Sequence, residues 1–168
     1  MTITIRPERP GDEGVIHDLT QAAFAPTPYS QGNEGAIIRA LRADGDLTLS
    51  LVAEQDGEIV GHVAFSPVAI DGHHSDWFGL GPISVRADRQ KQGIGRAMIR
   101  EGLHRLKAEG AMGCALIGDP AVYAGSGFEN DGRLSYEGVP EIYVQRIVFS
   151  GPPPHGVVTF SPAFAATE

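Results

Sequence analysis

The sequence predicts a mixed α/β fold: one central sheet with both antiparallel and parallel neighbours, flanked by helices. "TITIR" alternates β-prone residues before Pro7 and Pro10 end it, and a helix-spaced run follows at once. Asp56-Gly57 divides two long β-prone runs, the clearest hairpin signal in the chain. Residues 77–118 read as strand, helix and strand, and a helical crossover of this kind sets its two strands parallel.

In chain order, the opening strand is followed by "PGDEGVIHDLTQAAF", a helix with Val15, Ile16, Leu19 and Ala23 on one face. "PTPYSQGN" is an irregular loop. "EGAIIRALRADG" is a second helix, with Ile37, Ile38 and Leu41 together and Gly45 as its stop. The hairpin spans "LTLSLVAEQDGEIVGHVAFSPVAI". "HHSDWFGLGPISVRA" is the next strand, but Gly79, Gly81 and Pro82 suit an ordinary central strand poorly, so a bulge or a local splitting of the sheet is expected there. From about Gly93 to Glu109 a helix sets Gly95, Ile99, Leu103 and Leu106 on one face and Arg96, Arg100, His104 and Lys107 on another. "MGCALIG" is near-continuously apolar, as a strand covered on both faces must be. "AVYAGSGF" is a short helix closed by Gly127, and "EIYVQRIVF" is a further strand. The Pro- and Gly-rich tail, 150–168, holds one small strand candidate and an end expected to fray. No repeat or linker divides the chain, so residues 1–168 are expected to form a single domain with its core over about 3–149.

Composition narrows the function. A chain of 168 residues can bury roughly two thirds of its unfolded surface without staples. Its net charge of −8 argues against gripping nucleic acid or an anionic membrane by bulk electrostatics. Cys114, the only cysteine, lies in an apolar run, where a buried small hydrophobe is expected rather than a nucleophile. No run approaches the roughly 18 apolar residues of a membrane span, and the first residues lack a signal-peptide pattern, so the expected location is cytoplasmic. His73 and His74 are adjacent and would point to opposite faces of a strand, which favours a polar turn over a metal pair.

"RQKQGIGRAMIREG" (89–102) raises the functional question. Two glycines at the mouth of a helix expose unpaired backbone N–H groups and the positive end of the helix dipole, a setting for an anion. A P-loop would continue with Lys and then Ser or Thr, where this chain has Arg96 and Ala97. A dinucleotide fingerprint would want a third glycine at Met98. "QKQGIG" (Gln90–Gly95) instead resembles the Gln/Arg-x-x-Gly-x-Gly/Ala signature of the GNAT superfamily of acyl-CoA-dependent N-acetyltransferases, and it stands, as there, between a bulged strand and a long helix. "ITIRPERPGDEGVIHDL", "LVAEQDGEIVGHVAF" and "YAGSGF" are similar to the family's first strand and helix, its central hairpin and its Tyr-x-x-x-Gly-Phe segment. The likeness covers most of residues 3–149. "GLGPISV", "GDPAVYAGSGF" and "GVPEIYV" look most like the small bacterial YhbS-like group.

The resemblance implies a mixed, mostly antiparallel sheet splayed between its fourth and fifth strands, with acetyl-CoA as co-substrate, an amine acceptor (small molecule or peptide) and no metal. Main-chain groups of Ile83, Ser84 and Val85 would pair with the amide-bearing pantetheine arm as though it were a strand. Gln90 and the N–H groups of Lys91, Gln92, Gly93, Ile94, Gly95 and Arg96 would hold the pyrophosphate, with glycine at 93 and 95 avoiding a β-carbon that crowds the phosphates. Arg89, Lys91 and Arg96 can add charge nearby.

For the chemistry, Tyr123 matches the tyrosine that commonly protonates the departing thiolate; the alternative is a ring that only packs. Asp119, ending the fifth strand, is a candidate base or merely the cap of the helix that starts at Pro120. Glu34 begins the second helix, on the family's acceptor side, where it meets a cationic substrate or simply caps. His62 and Ser66, four apart, either open towards the acceptor or serve as core polar residues. The reading that follows is transfer of acetyl from acetyl-CoA to a primary amine by direct attack. The competing reading is a non-catalytic acyl-CoA sensor that keeps the cleft without turnover. The C-terminal strands offer a surface for a homodimer.

Overall fold

The computed structural model describes residues 2–168. β1 (Ile3–Pro7) leads through a turn at Gly11 into α1 (Glu13–Phe24), which buries Ile16, Leu19 and Thr20. α2 (Glu34–Ala43) turns Ile37, Ile38 and Leu41 inward and ends at Gly45, which takes the left-handed conformation that stops helices. β2 (Leu49–Gln55) and β3 (Glu58–Pro67) form the expected hairpin, with Asp56 and Gly57 both at positive φ (54° and 78°), as its two-residue turn requires. There follow β4 (Ala69–Ile70), β5 (Trp77–Val85), α3 (Ile94–Ala108), β6 (Gly113–Ile117) and α4 (Pro120–Tyr123). β7 (Leu134–Ser135), β8 (Val144–Val148) and β9 (Gly156–Thr159) complete the strands.

The main sheet runs β1-β2-β3-β5-β6-β8, and every pairing is antiparallel except β5 with β6. α3 covers one face over Leu51, Val63, Phe65, Leu80 and Leu116. Its approach is close at Gly102, where a β-carbon would stand 2.3 Å from the Phe65 ring. α1 and α2 cover the opposite face over Val52 and Ala64. Each large side chain sealed in this way contributes roughly 1.5–3 kcal/mol.

The glycines of β5 have the expected effect. β5 and β6 pair only over Trp77–Gly79 and Gly113–Ala115. Beyond Gly79 the register of β5 against β3 shifts between Val63 and Phe65, with Gly81 (φ 138°) and Pro82 bulged opposite Ala64. The two parallel strands then part, so the sheet is forked between the fourth and fifth of its strands.

Three segments differ from expectation. Residues 141–143 form a single 3-10 turn rather than strand, because the pairing of β8 with β6 ends at Ile117–Val144 and leaves them no partner. β4, β9 and β7 form a separate three-stranded sheet, two of whose members are two residues long and too short to show a period. The tail does not fray: Ala163 is buried against α2, Asn33 donates to the Ala166 carbonyl (2.9 Å), and Glu168 bonds His17 (2.6 Å) and Arg39 (3.4 Å). Among the described residues no helix is long and apolar enough to cross a membrane.

Candidate active site

The mouth of α3 is built by two left-handed residues, Lys91 (φ 63°) and Gly93 (φ 87°). The first helical bond is Ala97 N–H to Gly93 C=O at 3.0 Å. Among the described residues, none of the backbone N–H groups from Lys91 to Arg96 has a protein acceptor. Buried donors cannot stay unpaired cheaply, but Lys91 and Gly93–Arg96 line an open cleft.

That cleft, about 620 Å³, lies between the free edge of β5, the mouth of α3 and the turn 121–123. It is lined by Ile83, Ser84, Val85, Gln90, Lys91, Gly93, Ile94, Gly95, Arg96 and Tyr123, so the expected cofactor residues converge, apart from Gln92. Arg89 also lines it, its side chain held by Gln55 (2.8 Å) and Asp88 (2.9 Å). Arg96 reaches across to Gly125, where its Nη2 stands 3.0 Å from the position of a β-carbon. The bond from Arg86 N–H to the Val60 carbonyl (2.8 Å) fixes the alternation of β5 against β3. Ser84 therefore spends its main-chain groups on β3, while those of Ile83 and Val85 point to the forked edge. The Val85 carbonyl already accepts the Gln90 side-chain amide at 3.0 Å, which ties the loop to the strand.

At Gly95 a β-carbon would meet nothing nearer than Val85 Cγ2 at 3.9 Å, and at Gly93 nothing within 4 Å. The space is empty of protein. An open strand edge for amides, beside free N–H groups and the cations Lys91 and Arg96, fits an extended amide arm that ends in a diphosphate.

Tyr123 projects from α4, its ring laid on Gly118 and edge-on to Phe128 (centroids 6.4 Å apart, 76° between planes). Burial pushes its phenol pKa up, so the group stays protonated at neutral pH, and its hydroxyl has no protein partner among the described residues. Asp119 caps the same turn, its Oδ1 accepting Ala121 N–H at 2.9 Å, while Oδ2 is unpartnered and the residue is exposed. Both oxygens of Glu34 accept the Ser30 hydroxyl (2.7 and 2.8 Å). Neither carboxylate lines the cleft. His73 and His74 lie exposed in the turn between β4 and β5, and among the described residues no group of three His, Cys, Asp or Glu side chains converges on one point. A separate cleft of about 540 Å³, near His104 and Glu109 at the other end of α3, contains none of these groups.

His62 and Ser66 are fully buried on the α1/α2 face. His62 Nε2 bonds Ser50 Oγ at 2.7 Å, Ser50 donates in turn to Glu8, and Arg42 holds Glu8 through both carboxylate oxygens (2.9 and 3.0 Å). Burial lowers the His62 pKa to about 4. Burial raises that of Glu8, but Arg42 and Ser50 outweigh it and hold the carboxyl below its ordinary range. Glu8 is thus an ionised acceptor, the Ser50 hydroxyl donates to it, and His62 carries its proton on Nε2. Among the described residues, His62 Nδ1 and Ser66 Oγ have no partner.

A sequence model of the acetyltransferase (GNAT) family matches residues 14–123. The chain belongs to that family. A GNAT acetyltransferase of Brucella melitensis, solved in complex with acetyl-CoA, is 47% identical and superposes with a TM-score of 0.87 over 97% of this chain and 98% of its own. The GNAT N-acetyltransferase YhbS of Escherichia coli, solved in complex with CoA, is 32% identical with a TM-score of 0.88, covering 96% of this chain and 91% of its own. In sequence, the uncharacterized N-acetyltransferase YhbS of Escherichia coli K12 is 39% identical over 126 residues, 74% of this chain and 72% of that one. The GNAT fold accounts for the forked sheet. Within this GNAT site, sequence reasoning missed Ile99, Ala121 and Val122 as lining residues. Their apolar character carries no signal of its own; only their distance from Arg96 and Tyr123 along a helix could have pointed to them.

Proposed function

We propose that the protein transfers an acetyl group from acetyl-CoA to a primary amine by direct attack. The observation that carries this reading is the convergence, in one cleft, of unpaired N–H groups at Lys91 and from Gly93 to Arg96, the free edge at Ile83 and Val85, and a Tyr123 hydroxyl with no protein partner among the described residues. Gln90, Lys91, Gln92, Gly93, Ile94, Gly95 and Arg96 bind the pyrophosphate, Ile83 and Val85 pair with the pantetheine amides, and Ser84 walls the arm.

Acetyl-CoA supplies an activated thioester. The chain orients it and moves protons. The amine nitrogen forms a C–N bond to the acetyl carbon as the C–S bond breaks; the proton lost by nitrogen goes to a carboxylate, and the leaving sulfur receives one from Tyr123 Oη. Of the two candidate bases, Asp119 keeps Oδ2 free and opens the turn that carries Tyr123, whereas both oxygens of Glu34 are engaged by Ser30. Asp119 is assigned the proton, which reaches it through solvent because its side chain lies outside the cleft lining, and Glu34, also outside it, is left as the charge that attracts a cationic amine. An acyl-enzyme on cysteine is disfavoured, because Cys114 is wholly buried and burial raises its thiol pKa.

The test is calorimetric titration with acetyl-CoA, with ATP and NAD as controls, followed by an assay of thiol release over a panel of amines. Saturable binding of acetyl-CoA alone, with amine-dependent release, is expected. Binding without release from any amine would leave a sensor, and no binding would overturn the reading.

A further inference from the structure

The segment after β9 runs back along α2 and reaches α1. Ser161 Oγ donates to Asp46, just past the end of α2 (2.7 Å). Ala163 is buried with Ile37 and Leu41, Phe164 packs beside it, and Asn33 at the start of α2 donates to the Ala166 carbonyl (2.9 Å). Glu168 makes the last tie, one oxygen on His17 Nε2 of α1 (2.6 Å) and the other on Arg39 of α2 (3.4 Å). We infer that this segment is a pH-sensitive strap, latched across α1 and α2 while His17 is protonated and loosened when His17 gives up its proton. The inference does not rest on the acetyltransferase reading.

The ties divide by chemistry. Apolar packing and the bond from Asn33 to a carbonyl are indifferent to pH, and a guanidinium such as Arg39 stays charged throughout. A histidine is the side chain whose charge ordinarily changes near pH 6.5. Neutral His17 still has one N–H to give Glu168, but the protonated ring adds the charge that makes such a bond roughly twice as strong.

The surroundings of His17 favour that charge. Its ring lies against Gly35, where a β-carbon would stand 2.6 Å from its Cδ2, so α2 meets it with bare backbone. Among the described residues, its charged neighbours are Glu168 at Nε2 and Asp18, 3.6 Å from Nδ1, with Arg39 beyond on the far oxygen of Glu168. A protonated ring therefore has a carboxylate at each nitrogen. His17 and Arg39 in turn hold the Glu168 carboxyl below its ordinary range, so it is still ionised at pH values where His17 is charged. The latch is complete between the two titrations and weakens as pH rises past that of the histidine. Release also loosens the start of α2, because Asn33, which holds Ala166, immediately precedes Glu34.

The test is hydrogen exchange at Phe164 and Ala166, whose amides bond only the Ser161 and Ala163 carbonyls of the strap's own 3-10 turn (3.0 Å each). Protection is measured relative to the free-chain rate at each pH. In the parent it is expected to be about threefold higher near pH 5.5 than near pH 8, the scale of one exposed, charge-assisted tie. Glu168→Gln keeps the shape of an exposed side chain and removes its charge. That variant should show the lower protection at both pH values with an unchanged melting temperature, which also separates His17 from the other histidines. Equal protection of the parent at the two pH values would overturn the latch. A pH dependence that survives in Glu168→Gln would do the same.

Discussion

The Tyr123 hydroxyl bonds nothing among the described residues, so Tyr123→Phe should leave the melting temperature and acetyl-CoA affinity near their parent values. It should lower kcat by roughly 10²-fold, as loss of a general acid does. Asp119 carries two possible duties that one pair of variants separates. Asn is as good a cap as Asp, so Asp119→Asn should keep stability and lose turnover, whereas Asp119→Ala should also lose about 1 kcal/mol in a denaturant melt. Equal turnover in the parent and Asp119→Asn would reduce this residue to a cap. His62 makes stability depend on pH. An unfolded histidine takes a proton below about 6.5, but His62 in the fold does not until about 4. The unfolded state therefore binds more protons in that window, and stability complete above pH 6.5 is lost as pH falls towards 4, by an amount on the order of 3 kcal/mol. Glu8, held low, acts in the same direction below its ordinary 4.5. Thermal melts from pH 7 to 4 should fall steeply in the parent and more shallowly in His62→Gln, whatever the baseline of that variant.

At the scale of the element, the mouth of α3 separates helix stability from ligand affinity. Gly95 lies in helical conformation with open space before it, so Gly95→Ala should stabilise the free protein by about 0.5–1 kcal/mol. The same methyl group projects into the cleft. Acetyl-CoA affinity should fall, and a Gly95→Ala protein that both melts higher and binds equally well would refute the pyrophosphate assignment. The elements legible in the sequence were those with a strong local signal. Asp56-Gly57 announced its hairpin, Gly79, Gly81 and Pro82 announced the bulge, and the apolar run around Cys114 announced a parallel strand covered on both faces. The two-residue strands β4 and β7 have no period to read, and the strand expected from Glu141 was shortened by the length of its partner rather than by its own residues.

Across the whole molecule, the proposed cofactor half of the site could be read because it is a contiguous segment, Gln90–Arg96, whose backbone N–H groups from Lys91 onward have no protein acceptor among the described residues. The apolar lining residues Ile99, Ala121 and Val122 could not, because their place in the cleft depends on how α3 and α4 pack beside the forked sheet. The acidic balance of −8 argued against nucleic acid and anionic membranes as partners but identified none. The short contact between β5 and β6 has a mechanical meaning. Three residue pairs are all that join the β1-β2-β3-β5 leaf to the β6-β8 leaf within the sheet. The cleft is then a hinge with missing rungs, and a bound pantetheine would supply them. Amides of Gly113–Ile117 should exchange with solvent faster than those of β2 and β3 in the free protein, and slow on addition of acetyl-CoA, the co-substrate acting for the duration of each turnover as a strand of the fold.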